Sequence, residues 1–187
     1  MTLRSLAASA ALIAFSLTAS AIPAVSGDAP AQPVPFQVAV AQGAAPDFTG
    51  LGNWYNSPPL NIAGLRGKVV LVNFWTYGCV NCVNTLPHVV DLYAKYKDRG
   101  LVVVGIHTPE FPFERSASNV QAALKRHGII YPVAQDNDSR TWSAYRNRYW
   151  PSQYIIDQTG KIVFQHDGEG QYDQIDRTVA RLLNGSS

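Results

Sequence analysis

Cysteine is scarce in this chain: of 187 residues, only Cys79 and Cys82 carry a thiol. Two are too few for a disulfide scaffold and, alone, too few to hold a tetrahedral zinc ion. Charge is sparse as well. Asp, Glu, Lys and Arg make up 15% of the sequence, and the formal net charge is +2. Basic residues are scattered apart from the short step Arg146-Asn147-Arg148, so no stripe of positive charge marks a nucleic-acid partner. Hydrophobic residues, by contrast, reach 47%. Once a leader is set aside, the chain suffices for one globular domain and is too short for two.

Charge is missing altogether between Leu6 and Ile22, a stretch that contains Ala11-Leu12-Ile13-Ala14-Phe15 and follows Arg4. Ala19 and Ala21 then form the small-x-small pattern of a cleavage site, so residues 1–21 read as a signal peptide. The apolar run is at the short end for a membrane span, which leaves a retained N-terminal anchor as the alternative. No cysteine follows the run, which excludes a lipoprotein. Both readings place the folded part outside the cytoplasm, in a periplasmic or other extracytoplasmic space where disulfide chemistry operates. Residues 22–45 are rich in Ala, Pro, Gln, Val and Gly and lack helical or strand periodicity. They read as a linker or, equally, as a leftover pro-segment. A second cleavage pattern, Ala39-Val40-Ala41 before Gln42, would remove most of it.

From Pro46 onward apolar runs alternate with helical periodicity. Val69 to Trp75 is nearly continuously apolar, as expected of a parallel strand buried on both faces. Leu86, Val89, Val90 and Tyr93 recur at helical spacing, which predicts a helix from about Val80 to Lys97, stopped by Asp98-Arg99-Gly100. Further elements are a strand over Leu101–His107, a helix over Ser116–His127, a short strand over Tyr131–Ala134 and a short helix from Ser139 to about Arg146. A hairpin then pairs Gln153–Asp157 with Lys161–Gln165, and a closing helix is marked by Ile175, Val179 and Leu182. This order implies an α/β domain over 46–187 with a mixed sheet and helices on both faces.

The cysteines sit in Phe74-Trp75-Thr76-Tyr77-Gly78-Cys79-Val80-Asn81-Cys82, between a buried strand and an amphipathic helix. Cys79 therefore falls at the helix N-terminus, where free N–H groups and the macrodipole favour a thiolate. Cys82, one turn on, is placed to resolve a mixed disulfide. A structural disulfide explains the spacing but not the strand-to-helix placement, and a metal pair needs two further ligands. Redox catalysis, with Cys79 as nucleophile and Cys82 as resolving residue, is the expectation that covers both.

Residues from about Asp47 to Leu183 resemble the thioredoxin superfamily, in its TlpA/ResA/DsbE-like extracytoplasmic branch. The resemblance is carried by Lys68-Val69-Val70-Leu71-Val72-Asn73-Phe74-Trp75 before the Cys79-x-x-Cys82 motif, by Pro87, by Trp150-Pro151, and by Ile155-Ile156-Asp157-Gln158-Thr159-Gly160-Lys161. Phe74-Trp75-Thr76-Tyr77, His107-Thr108-Pro109-Glu110 and Tyr145-Arg146-Asn147-Arg148-Tyr149-Trp150-Pro151 are similar to the C-terminal thioredoxin-like domain of DipZ-type proteins. Those proteins also carry a multi-span electron-transfer domain. The resemblance implies a thioredoxin-like three-layer α/β/α sandwich with a mixed central sheet. It also implies a redox-active Cys79–Cys82 disulfide as the only redox group, with no separate cofactor or metal.

Several residue roles follow from the resemblance. Pro151 matches the family's cis-proline, with Trp150 as the residue whose backbone meets substrate and Tyr77 bordering the groove. Asn73 stands where ordinary thioredoxins have a proton-transferring aspartate, and Thr85 where some relatives have a glutamate. Glu110, after the strand that ends beside the site, is the substitute candidate for proton transfer. Its competing reading is a solvated loop carboxylate. His107 could tune the thiols, but a structural histidine is the stronger reading.

The function implied is an extracytoplasmic thiol–disulfide oxidoreductase that reduces protein disulfides, with apocytochrome c as one client. Its electrons come from a membrane-embedded or other thiol donor. Two alternatives stand beside it. A peroxiredoxin-type thiol peroxidase needs a Pro-x-x-x-Thr-x-x-Cys pocket, whose proline position is Val72 here, and no second cysteine lies far away. A Sco-like copper module would use His166, but it has a C-x-x-x-C motif and a differently placed histidine.

Overall fold

The computed structural model describes residues 43–185. The expected leader over 1–21, and the linker as far as Gln42, lie outside the described residues. The fold is built around β2 (Val69–Trp75), every residue of which is buried. Such a strand must be covered on both faces, and its alternating side chains divide into two cores. Val69, Leu71 and Trp75 enter one, and Val70, Val72 and Phe74 the other.

Connections decide what covers each face. Helix α1 (Val80–Tyr96) links β2 to β3 (Leu101–His107), and α2 (Ala117–Arg126) links β3 to β4 (Val133–Gln135). All three strands are parallel and step in one direction across the sheet. Right-handed crossovers in one direction leave both helices on one face. Leu86 and Val89 of α1 and Val120 and Ala123 of α2 accordingly share a core with Ile175 and Val179 of α4 (Tyr172–Leu183). The chain then turns back past β2, so α3 (Arg140–Ala144) lies on the other face. There Trp142 and Tyr145 pack with Ile62 and with Phe48, Leu51 and Trp54 of the segment ahead of β2. Strands β5 (Ser152–Ile156) and β6 (Ile162–Asp167) complete the sheet, β5 antiparallel to β2 and β6 antiparallel to β5. With β1 (Trp54–Tyr55) at the far edge, the sheet order is β1-β4-β3-β2-β5-β6. This is the expected α/β/α sandwich with a mixed sheet.

Several boundaries differ from the sequence expectation. The fourth strand starts at Val133, not Tyr131, because Pro132 has no N–H for a ladder, although its carbonyl still accepts from Gly105. Helix α3 is trimmed at both ends, by left-handed backbone at Ser139 and Arg146. Strand β1 has no counterpart in the sequence reading, since two half-buried residues are too few to show a period. The last residues of the expected linker belong to the folded part: Ala44 bridges Lys161, Ile162 N–H donates to the Gly43 carbonyl and Ala45 N–H to that of Gly160.

Leu71 sits at the centre of β2 with no exposed surface. Leu71→Ala should therefore lower unfolding stability by about 3 kcal/mol through lost burial and an unfilled cavity. A urea midpoint unchanged from the parent protein would contradict this account of the core.

Candidate active site

Strand β2 ends at the point where the sheet order reverses, between β3 on one side and β5 on the other. In open α/β sheets the crevice beyond such strand ends is where ligands bind. The Trp75 carbonyl accepts from Thr108 N–H at 3.1 Å, which ties the ends of β2 and β3 together. Thr76, Tyr77 and Gly78 then turn the chain into α1. Cys79 is the N-cap of α1, with extended backbone, and its sulfur accepts from Cys82 N–H at 3.4 Å. Both cysteines are free thiols in this structure, Cys79 half-buried and Cys82 buried.

The two sulfurs have different surroundings. Cys79 Sγ lies 3.8 Å from the Trp150 carbonyl oxygen, in a part-buried contact. Cys82 faces the core, and burial pushes its thiol strongly up from the ordinary value. Its hydrogen bonding with Cys79 and the nearby charges of Cys79 and Glu114 push the same way, and only the Thr76 backbone opposes them. The Trp150–Pro151 peptide is cis and Pro151 is buried, as the sequence resemblance implied. Trp150 is held in place by its indole N–H, which donates to the Thr108 carbonyl at 3.0 Å, and by the Trp142 ring at 4.1 Å.

Asn73 is buried on the same side of β2 as the α1 core and accepts from Gln153 Nε2 at 3.4 Å. Thr85, also buried, donates to the Asn81 carbonyl one turn earlier. His107 lies beneath the turn, with Trp75 edge-on and the Tyr77 ring stacked on it. Its Nε2 is 3.3 Å from Thr76 Oγ1. Tyr77 in turn donates its hydroxyl proton to the Phe113 carbonyl at 2.9 Å.

Glu110, the sequence candidate for proton transfer, is exposed. The structure brings Glu114 to the site instead. Its side chain has no exposed surface, and its carboxylate accepts from three backbone N–H groups. Gly78 donates to Oε1 at 2.9 Å, and Glu110 and Phe111 donate to Oε2 at 2.6 and 2.9 Å. A Cβ at Gly78 would collide with Oε1, so only glycine permits this approach. Pro112 opens a 3-10 turn, Pro112–Arg115, which swings Glu114 inward while leaving Glu110 outside. The sequence did carry a signal for this. A Pro at the first position of a turn with Glu at the third is the arrangement in which the glutamate reaches back to the cap amide.

Large apolar side chains are also exposed around the site. Val80 follows Cys79, Tyr149 precedes Trp150, and Phe111 and Phe113 stack at 5.7 Å beside Tyr77. No cluster of three or more His, Cys, Asp or Glu suited to a metal occurs among the described residues. His166 lies on β6, paired with Gln153, and so is separated from β2 by β5.

Burial depresses His107 to about 4, although the Glu114 charge and a backbone hydrogen bond act in the opposite direction. Its folded value is thus below the unfolded one, about 6.5. Between those values the unfolded chain binds a proton that the folded chain does not. The stability His107 contributes is complete above about pH 6.5 and is lost as pH falls toward about 4, on the order of 3 kcal/mol in all. In His107→Gln this part of the pH slope should vanish. Equal slopes in the two proteins over that range would refute it.

Comparison with known proteins agrees with this geometry. The profile of the AhpC/TSA family matches residues 41–165. The chain is 49% identical over 145 residues to protein DipZ of Mycobacterium tuberculosis, covering 76% of this chain and 21% of DipZ. It is 30% identical over 139 residues to the thiol-disulfide oxidoreductase YkuV of Bacillus subtilis, covering 74% of this chain and 93% of YkuV. The crystal structure of a thioredoxin-family thiol:disulfide interchange protein from Chlorobium tepidum superposes with a TM-score of 0.63 at 29% identity, covering 78% of this chain and 99% of that one. The chain thus spans about a fifth of DipZ and nearly all of YkuV. A mixed sheet with a cysteine pair at its switch point, and these likenesses, mean that the chain belongs to the AhpC/TSA family, within its thioredoxin-like thiol–disulfide oxidoreductases.

Proposed function

We propose that this protein reduces disulfides in exported proteins through the dithiol of Cys79 and Cys82. The carrying observation is the asymmetry of the two sulfurs: one reaches solvent at a helix N-cap, the other is buried one turn further on. The Cys79 thiolate attacks a client disulfide in line, forming a mixed disulfide and releasing one client sulfur as a thiolate. Cys82 then gives up its proton and attacks Cys79 Sγ, closing the Cys79–Cys82 disulfide and releasing the second client sulfur. Two electrons pass from the dithiol to the client, and the two thiol protons end on the two client sulfurs.

Direction is supported by Cys82. A buried thiol that resists ionisation does little to stabilise the reduced state, which favours a reducing pair. Val80-Asn81 between the cysteines brings no charge that would oppose this. Trp150 offers its backbone beside Cys79, and the exposed Val80, Phe111, Phe113 and Tyr149 suit an unfolded protein segment better than a small polar thiol. The resemblance to extracytoplasmic relatives and the apolar leader support export, an external or membrane-embedded thiol donor, and apocytochrome c among the clients. Among the described residues no helix is long and apolar enough to cross a membrane. The peroxidase reading is weaker: Val72, wholly buried in β2, stands where the proline of its Pro-x-x-x-Thr-x-x-Cys pocket would be.

Reduction of insulin disulfides should be abolished in Cys79→Ser, whereas Cys82→Ser should accumulate a mixed disulfide with the client, visible on non-reducing gels. The pair should equilibrate with a thiol buffer near thioredoxin's potential, about −270 mV. A value near about −120 mV would reverse the direction and make the protein a disulfide donor. Trapping through Cys82, with Cys79→Ser still active, would overturn the assignment of roles.

A further inference from the structure

Glu114 is a buried carboxylate that the exchange steps above do not use. It lies 35 residues from Cys79 in sequence, in the loop after β3, yet one of its oxygens is bonded to the residue immediately before Cys79. Its partners are three backbone N–H groups, the donor set that matches a carboxylate and not the O–H of a carboxylic acid. Burying an anion is costly unless it is hydrogen-bonded in this way. A helix-cap role accounts for the Phe111 amide alone. It leaves unexplained why Oε1 reaches across to the turn that carries Cys79, where only a glycine can admit it.

We propose that Glu114 is the positioning residue of the exchange site. Through the Gly78 amide it fixes the turn that presents Cys79, and its buried negative charge biases the cysteine pair toward the disulfide, making the protein a stronger reductant. This rests on the reading of Cys79 and Cys82 as the exchanging pair. The physical basis is that an anion held in a low-dielectric site repels a thiolate formed beside it, while the neutral disulfide is indifferent to it. Glu114 is among the charges that raise the Cys82 thiol, and it also acts on His107, so its field reaches both sides of the turn. The other titratable groups facing this spot are Cys79 and Tyr77 from the turn and His107 from β3. His107 stays neutral near pH 7 and so brings no positive charge against Glu114.

The test is the thiol–disulfide equilibrium of the purified protein with glutathione, together with the pH dependence of thiolate absorbance at 240 nm. Glu114→Gln keeps the shape of the side chain and removes its charge. Its equilibrium constant for reducing glutathione disulfide should fall about fivefold, a rise of ~20 mV in potential, and the second thiol should ionise at lower pH. Glu110→Gln, which alters an exposed carboxylate four residues away, should change neither quantity. Gly78→Ala leaves the charge in the chain but forces it off the turn, and should move the potential in the same direction as Glu114→Gln.

A folded Glu114→Gln protein with parental potential and titration would overturn the proposal, as would an equal shift in Glu110→Gln. Should Glu114→Gln fail to fold, a folded Gly78→Ala protein with parental potential would overturn it in the same way. Failure of the functional reading looks different. In that case the parent protein would equilibrate with glutathione yet reduce no protein disulfide, while the effect of Glu114 on the equilibrium remained measurable.

Discussion

Strand β2 has essentially no surface of its own, and that constraint orders everything around it. Seven consecutive residues from Val69 to Trp75 are buried, so both faces of the strand have to be covered before its backbone can be satisfied by neighbours. Two same-handed crossovers cover one face, and the return past β2 covers the other. The reversal leaves the C-terminal end of β2 flanked by strands whose connections run in opposite directions. At that end the chain is free to turn outward, and the turn carries the cysteines.

From this placement follows the inequality of the two sulfurs. A residue at the N-cap points out of the first turn, while the residue three further on lies over the helix's inner face. Cys79 is therefore open to a partner and Cys82 packs with Leu86 and Trp75. A dithiol of two equally exposed cysteines would have no fixed order of attack. Here burial distinguishes the two, and under the proposed function it sets the order, because a sulfur that meets no solvent can act only on the sulfur beside it. Trp150 completes the site from the opposite strand end. Its indole N–H is bonded to the Thr108 carbonyl and its own carbonyl is directed at Cys79, so the two halves of the sheet meet at one reactive atom.

The parts of the fold legible in the sequence were those with a strong period. The apolar run of β2, the helical spacing of α1 and the strand ending at His107 were located to within a residue. The hairpin was found with its ends shifted by a residue or two. Strand β1 was illegible because its pairing with β4 is purely tertiary. At the candidate site, the structure places side by side the Cys79-x-x-Cys82 motif and Trp150-Pro151, which the sequence singled out by their distinctive residue types. Glu110 was not separable from Glu114 by type or by distance along the chain. One faces water and the other is enclosed because Pro112 starts a 3-10 turn between them, a local event that no apolar period reports.

That substitution of one carboxylate for another bears on how the site is assembled. In the pattern the sequence resembles, charge near the buried cysteine comes from β2 or from α1, and here those positions are Asn73 and Thr85, both neutral and buried. A carboxylate at either place would be covalently fixed to the element that carries the cysteines. Glu114 comes instead from the loop after β3, and it reaches the turn through a glycine that has no side chain to block it. The same loop carries Phe111 and Phe113, exposed beside Tyr77. Anything that presses on those rings presses on the segment whose amides hold Glu114. Under the proposed function, placing the charge on the loop that borders the opening sets it beside the surface a client would meet.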